Sequence, residues 1–210
     1  MKKQALQLLQ PDDIKLRKVC AEITLRELKT VRVQNFIEQM LDVVYGRNNK
    51  GKQRDRNKPM TVGLSANQTG ILKRISVVDL AIGRKTFNDI HVLINPKIIW
   101  HSKTTSTNRE GCVNIPKVWG IVKRYKEVKV EAFDRSGNKI MIHARGWAAI
   151  LLQHEVDHLN GLLFIDHLPN PQKAHLVEGN ELTSYRKNFR RWKKFTNISK
   201  LTKKHSRAVR

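Results

Sequence analysis

The stretch that constrains this chain most is Gly146–Leu159, which reads as a helix stopped by Asn160-Gly161 and carries His154-Glu155-Val156-Asp157-His158. Residues four apart differ by about 40° around a helix, so both imidazoles leave one face and can bind one ion. Glu155 follows the first histidine directly and can be turned toward the ion's open position. There it would take a proton from a water whose pKa a metal lowers to about 7. Asp157 and Gln153 are candidates for groups that hold the ligands. The plain alternative is two histidines brought together by chance on an exposed face.

Two further segments bear on that choice. Arg109-Glu110-Gly111-Cys112-Val113-Asn114-Ile115-Pro116 places a lone cysteine after glycine in a loop-to-extended segment. A thiolate with two imidazoles makes a three-ligand site with a fourth position left for water; taken alone, Cys112 is a small buried hydrophobe as readily as a ligand. In Thr61-Val62-Gly63-Leu64-Ser65-Ala66-Asn67-Gln68, small residues allow close backbone approach to a ligand and Gln68 offers an amide donor. A tight turn beside a helix accounts for that segment equally well.

At 210 residues and 40% hydrophobic, the chain can build one compact domain plus an appendage. Its 41 Lys and Arg against 18 Asp and Glu leave a formal charge of +23, which attracts polyanions and is silent on fold. No apolar run approaches the ~20 residues of a membrane span. The N-terminus has neither the apolar core of a secretory signal nor, with Asp12 and Asp13 so early, the look of an organellar presequence. With Cys20 and Cys112 the only cysteines, the expectation is a soluble, reduced, cytoplasmic protein.

A short helix is predicted over Asp12–Lys18. Val33, Phe36, Ile37, Met40, Leu41 and Val44 predict an amphipathic helix closed by Gly46, and residues 47–58, six of them basic, predict an exposed loop. Strands are expected at Ile75–Leu80, Val92–Asn95 and Ile98–His101, followed by a hairpin of Lys126–Asp134 with Ile140 and Ile142. Beyond Glu181 no acidic residue occurs. Leu182, Tyr185, Phe189, Trp192 and Phe195 fall at helical spacing, which predicts one basic amphipathic helix over about 182–196 with a cationic end.

The three chemistry-bearing segments, in this order and spacing, resemble the peptide deformylase family, whose motifs read Gly-x-Gly-φ-Ala-Ala-x-Gln, Glu-Gly-Cys-Leu-Ser and Gln-His-Glu-x-Asp-His-Leu-x-Gly. Here the third is complete at Gln153–Gly161, the second is Glu110-Gly111-Cys112-Val113-Asn114, and the first is Gly63–Gln68. The opening Gln10–Val19 is also similar, so the resemblance runs over roughly residues 8–168. It implies an α+β fold with antiparallel sheets around a central helix that bears the two histidines. The activity it implies is hydrolytic removal of formyl, as formate, from the initiator formyl-methionine of nascent polypeptides. Cys112, His154 and His158 would hold one divalent ion, typically Fe2+ in the family with Zn2+ or Ni2+ possible, and Glu155 would be the acid/base. Gln68 and the Val113 N–H would donate to the oxyanion. Val62, Gly63 and Gly111 would pair with the peptide as an added strand, and Val62, Trp147, Ile150 and Leu151 would pocket the methionine. Glu110 is grouped with the substrate-binding residues and, with Arg124, matches a buried family ion pair near the metal; a surface pair is the alternative. Thr61, Ser65, Val113 and Asn114 depart from the motifs, and Trp119 stands where the family often has an arginine facing the substrate.

The chain thus divides into a catalytic unit, 1–170, and a basic helical extension, 171–210. In bacterial members a C-terminal helix can dock on the ribosome, which implies salt-dependent contact of this helix with ribosomal RNA. Packing of its apolar residues on the domain, with solvated charges, is one alternative, and a membrane surface is another. Two rival functions stand beside the deformylase reading. A generic metallopeptidase would leave Glu110-Gly111-Cys112 unexplained, and a non-enzymatic ribosome-binding paralogue would show no turnover.

Overall fold

The structure is a computed structural model that describes residues 6–45, 61–81 and 89–202. The basic loop expected at 47–58 lies outside the described residues, as does the end of the cationic tail. A 3-10 turn, Ile14–Arg17, stands where a short helix is predicted, capped by Asp13, whose carboxylate accepts from the Lys15 N–H. Helix α1 (Leu25–Leu28) starts on a Thr24–Glu27 capping box, and α2 (Val31–Tyr45) buries Ile37, Met40 and Val44, residues of the predicted stripe.

The strands follow as β1 (Gly63–Ser65), β2 (Ile75–Asp79), β3 (Ile90–His101), β4 (Thr105–Cys112), β5 (Ile115–Tyr125), β6 (Glu127–Phe133) and β7 (Lys139–Arg145). Helix α3 (Gly146–Leu159), β8 (Ala174–Leu176), α4 (Leu182–Asn188), β9 (Phe195–Thr196) and α5 (Ser199–Thr202) complete the described chain. They form two antiparallel sheets, ordered β1-β2-β3-β6-β7 and β4-β5-β8-β9.

Two predicted strands, Val92–Asn95 and Ile98–His101, are one strand, β3, with a register shift between them. Asn95, at φ 52°, and Pro96 interrupt the pattern, and the Asn95 amide takes the place of a strand partner by bonding both Ile23 N and Ile23 O. Strands β4 and β5 are not among the predicted strands: the only buried residue of β4 is Glu110, and the alternating buried positions of β5, Gly120, Val122 and Arg124, include a single large apolar side chain.

Both faces of the first sheet are covered at β2, where every residue is buried. Ile75 and Val77 face α2 in one core cluster, while Val78 lies with Leu93, Val128, Val130, Ala149 and Leu152 in another against α3. Nine of the 14 residues of α3 are buried, so it is an interior helix and not a surface amphipath. It touches strands of both sheets, and its imidazoles are therefore positioned by core packing.

The single helix predicted over about 182–196 does not form. α4 ends at Asn188, Phe189–Arg191 makes a 3-10 turn, and β9 is extended against β8. Burial and sheet pairing win over helical hydrogen bonds here. Tyr185 is completely buried with its hydroxyl 3.0 Å from His175 Nδ1, and the Trp192 indole donates to Leu176 O at 2.9 Å. The Leu176 N–H in turn donates to Lys194 O at 2.9 Å. Removing a buried aromatic side chain typically costs ~3–5 kcal/mol. Tyr185→Ala is therefore expected to lower the urea midpoint of unfolding by that equivalent, whereas an unmoved midpoint would show the segment to be a loose appendage.

Candidate active site

Helix periodicity brings His154 and His158 together, with ring centroids 4.8 Å apart and their Nε2 atoms separated by 3.2 Å. Cys112 ends β4 where the register with β5 breaks, between Gly111↔Trp119 and Cys112↔Ile115. That break carries Sγ to 3.4 Å from His158 Nε2. The three donor atoms all lie within 4.8 Å of one another. Glu110 Oε2 holds His154 Nδ1 at 2.9 Å, which leaves His154 Nε2 as a lone pair turned toward the other two donors. Three electron-pair donors aimed at one point form an arrangement that a cation relieves, and one thiolate with two imidazoles fits a four-coordinate ion with an open position. His158 Nδ1 is buried and has no hydrogen-bond partner among the described residues.

Glu155 is buried beside this cluster and accepts from Ser65 Oγ at 2.7 Å. Burial pushes its carboxyl pKa up, against the opposing pull of His154 and the Ser65 hydroxyl, so the group is set to take up and release a proton. Ser65, read only as a departure from the family motif, thus touches the proposed acid/base. The backbone must pass close by: a Cβ on Gly63 would sit 2.3 Å from Glu155 Oε1.

Gln68 accepts from Ser65 N at 2.7 Å and donates from Nε2 to Asn114 Oδ1 at 2.8 Å, with a longer contact of 3.4 Å to Cys112 Sγ. Asn114, another motif departure, clamps this corner by donating to Leu9 O and Gln68 O. Asn67 ties the same turn to α3 by donating to His158 O at 2.6 Å.

Glu110 and Arg124 form the buried pair, 2.8 and 2.9 Å at its two prongs, and each side chain is about 5% exposed or less. The surface alternative is excluded. Arg124 also bonds Asp157, whose Oδ2 meets His167 Nε2 at 2.8 Å. Glu110 lies on the wall of the cleft, with its carboxylate committed to Arg124 and His154. Asp157 belongs to this network as expected. Gln153 does not, because its amide pins Tyr125 N and O to α3.

A cleft of about 340 Å³ opens over the site. Val62, Trp147, Ile150 and Leu151 line it with Gly63, Gly111 and Val113. Thr61 and Trp119 are also on its wall, and a Cβ on Gly111 would meet the Trp119 ring at 2.8 Å. Arg109 and Arg186 complete the lining and were not anticipated. Arg186 falls between the apolar positions of the helix predicted over about 182–196, and the spacing of those positions holds no signal that α4 would turn it over the cleft.

The family model for polypeptide deformylase matches residues 5–174. A peptide deformylase of Brachyspira hyodysenteriae is 36% identical over 182 residues, 84% of this chain and 86% of that one. Peptide deformylase 1 of Vibrio vulnificus is 36% identical over 172 residues, 82% of this chain and 90% of that one. Among solved structures, a Synechococcus elongatus peptide deformylase in complex with actinonin aligns with TM-score 0.66 at 33% identity, covering 81% of this chain and 84% of that one. A Met-Ala-Ser-bound class I type b peptide deformylase of Acinetobacter baumannii aligns at 0.67 and 27% identity, covering 80% and 100%.

The ion pair generates a pH prediction. Burial alone would raise the Glu110 pKa, but the hydrogen bonds of Arg124 and His154 outweigh it and lower the value from 4.5 to about 2. A carboxyl with a depressed folded-state pKa contributes stability that is complete above its unfolded value and is lost as pH falls through the folded one. The thermal midpoint is expected to drop between about pH 4.5 and 2, and Glu110→Gln should abolish that share of the drop. The variant should also lose ~3–5 kcal/mol at neutral pH, because Arg124 is left buried with half its partners. An unchanged acid limb in Glu110→Gln would refute the assignment.

Proposed function

The chain belongs to the polypeptide deformylase family, and from that premise we propose how its residues carry the activity. It is a metal-dependent amide hydrolase that removes the N-formyl group from the initiator formyl-methionine of nascent polypeptides and releases formate. The observation that carries the reading is the convergence of Cys112 Sγ, His154 Nε2 and His158 Nε2 beside the buried Glu155 carboxylate. These three side chains would hold the ion, and ferrous iron is the proposed occupant, with zinc or nickel compatible with the same sulfur and nitrogen donors. When bound, the ion supplies Lewis-acid polarisation and makes water acidic near neutral pH.

Every other part is played by the chain. Glu155 accepts the water proton and delivers it to the departing amine, a role its raised pKa favours. The Val113 N–H donates to the oxygen that becomes negative, and Gln68 joins it by turning an amide hydrogen from its long contact with Cys112. Val62, Gly63 and Gly111 offer backbone to an extended peptide. The walls formed by Val62, Trp147, Ile150 and Leu151 exclude water from the methionine side chain. Cleavage of formyl-Met-Ala-Ser by the metal-reconstituted protein, kept from oxygen and followed as formate, tests the whole. Glu155→Gln should lower kcat by about a hundred- to ten-thousandfold. Retention of full activity in that variant would remove Glu155 from the mechanism.

The cytoplasm is the proposed compartment; no described helix is long and apolar enough to cross a membrane. Residues 1–170 are proposed as the catalytic unit and 171–210 as a basic extension whose outer surface meets ribosomal RNA. Support for that contact is the exposure of Lys187, Arg191 and Lys193 on a segment anchored by the buried Tyr185. Co-sedimentation with ribosomes should weaken steeply with added salt and should weaken again when these three residues become Gln. Pelleting that ignores both changes would rule this surface out.

A further inference from the structure

Resting on the deformylase reading, we infer that Arg186 and Arg109 form a cationic subsite that binds an acidic side chain in the residues following the formyl-methionine. Both guanidinium groups line the cleft, Arg109 from β4 and Arg186 from α4. Among the described residues neither guanidinium makes a hydrogen bond or an ion pair. Arg109 is held instead by rings: its guanidinium carbon is 4.9 Å from the Trp147 centroid and 5.6 Å from that of Phe189. That packing fixes the group at the rim of the apolar pocket without using its donors.

Neutralisation cannot come from the other acids on the cleft wall. Glu110 is consumed by Arg124 and His154, and Glu155 is bonded to Ser65 beside the metal ligands. The two cations therefore repel each other across one cavity, and burial and the charge of Arg186 both disfavour the protonated form of Arg109. A carboxylate between them offsets both penalties and finds planar bidentate donors. The position of Arg186 is not accidental to the fold. Tyr185, its neighbour, is completely buried, and Arg190, one turn on, donates to Thr107 O at 3.1 Å, which anchors α4 on β4. Trp119, 5.6 Å from the Tyr185 ring and paired with Gly111 of β4, supplies an apolar wall beside them.

The test uses the full-length, metal-loaded enzyme and a series of formyl-Met-Ala-X-Ala amides with X as Asp, Glu, Asn, Gln or Lys. Amidation removes the terminal carboxylate, and formyl-Met-Ala-Ser as free acid and as amide measures what that group contributes by itself. KM for Asp and Glu peptides is expected about fivefold below that of their Asn and Gln isosteres, with kcat moving less. The ratio should shrink at about 1 M salt, where the screening length is only a few ångströms. Arg186→Gln should bring the ratio toward one, and Arg186→Glu should turn the preference to Lys. Arg186 is exposed, so both variants should fold, and circular dichroism checks that. Equal KM across the series, or a preference that survives both Arg186 variants, overturns the subsite. Preference for the free terminal carboxylate alone overturns its assignment to an acidic side chain. No formate from any peptide would instead sink the deformylase reading, and this inference with it.

Discussion

The site depends on a carboxylate kept ionised in the interior. Placing Glu110 and Arg124 away from water costs several kcal/mol per ion. It is tolerated because Arg124 meets both carboxylate oxygens and also binds Asp157, while Glu110 Oε2 is shared with His154. The consequence is geometric. Glu110 fixes which nitrogen of His154 is a lone pair, and Asp157 ties the same arginine to the helix that carries both histidines. Two residues after this anchor, the register break between Gly111 and Cys112 carries the thiol to His158. One buried charge pair thus orients ligands from two different elements, a strand and a helix, toward a common point.

How legible this was in the sequence varied with the kind of constraint. The helix over Gly146–Leu159 and the β6–β7 hairpin were readable because local periodicity and turn chemistry agree with the tertiary outcome. The convergence of Cys112 with the histidines was readable through the motif resemblance. The β4–β5 pairing was not, since the buried residue of β4 is Glu110 and the alternating buried positions of β5 are Gly120, Val122 and Arg124, which leaves no apolar alternation to read. The extension misled for a different reason. Leu182, Tyr185, Phe189, Trp192 and Phe195 do lie at helical spacing, but β8 offers Leu176 N–H and O as partners, and pairing there stops the helix at Asn188. Spacing states what a segment can form alone; it is silent on a sheet edge waiting elsewhere in the chain.

That extension also shows how a strongly cationic sequence separates its charges. Lys194 is neutralised by Glu181, Arg190 is anchored on Thr107, Arg186 turns to the cleft, and Lys187, Arg191 and Lys193 remain outside. A formal charge of +23 is an average over groups with distinct surroundings. Field-level reasoning about polyanions applies to the outward set alone.

The two glycines of the cleft carry a further consequence. Gly63 lies against Glu155 and Gly111 against Trp119, each so closely that a methyl group would collide. The strip a peptide would run along is therefore main chain with no room for a side chain. Selection under an inhibitor that grips only these two positions has little to work with, since any side chain there pushes on Glu155 or on Trp119. Escape would have to arise in the side chains farther out, Arg109, Arg186 and Trp147 among them, so durable inhibition favours molecules whose contacts end where the glycines do.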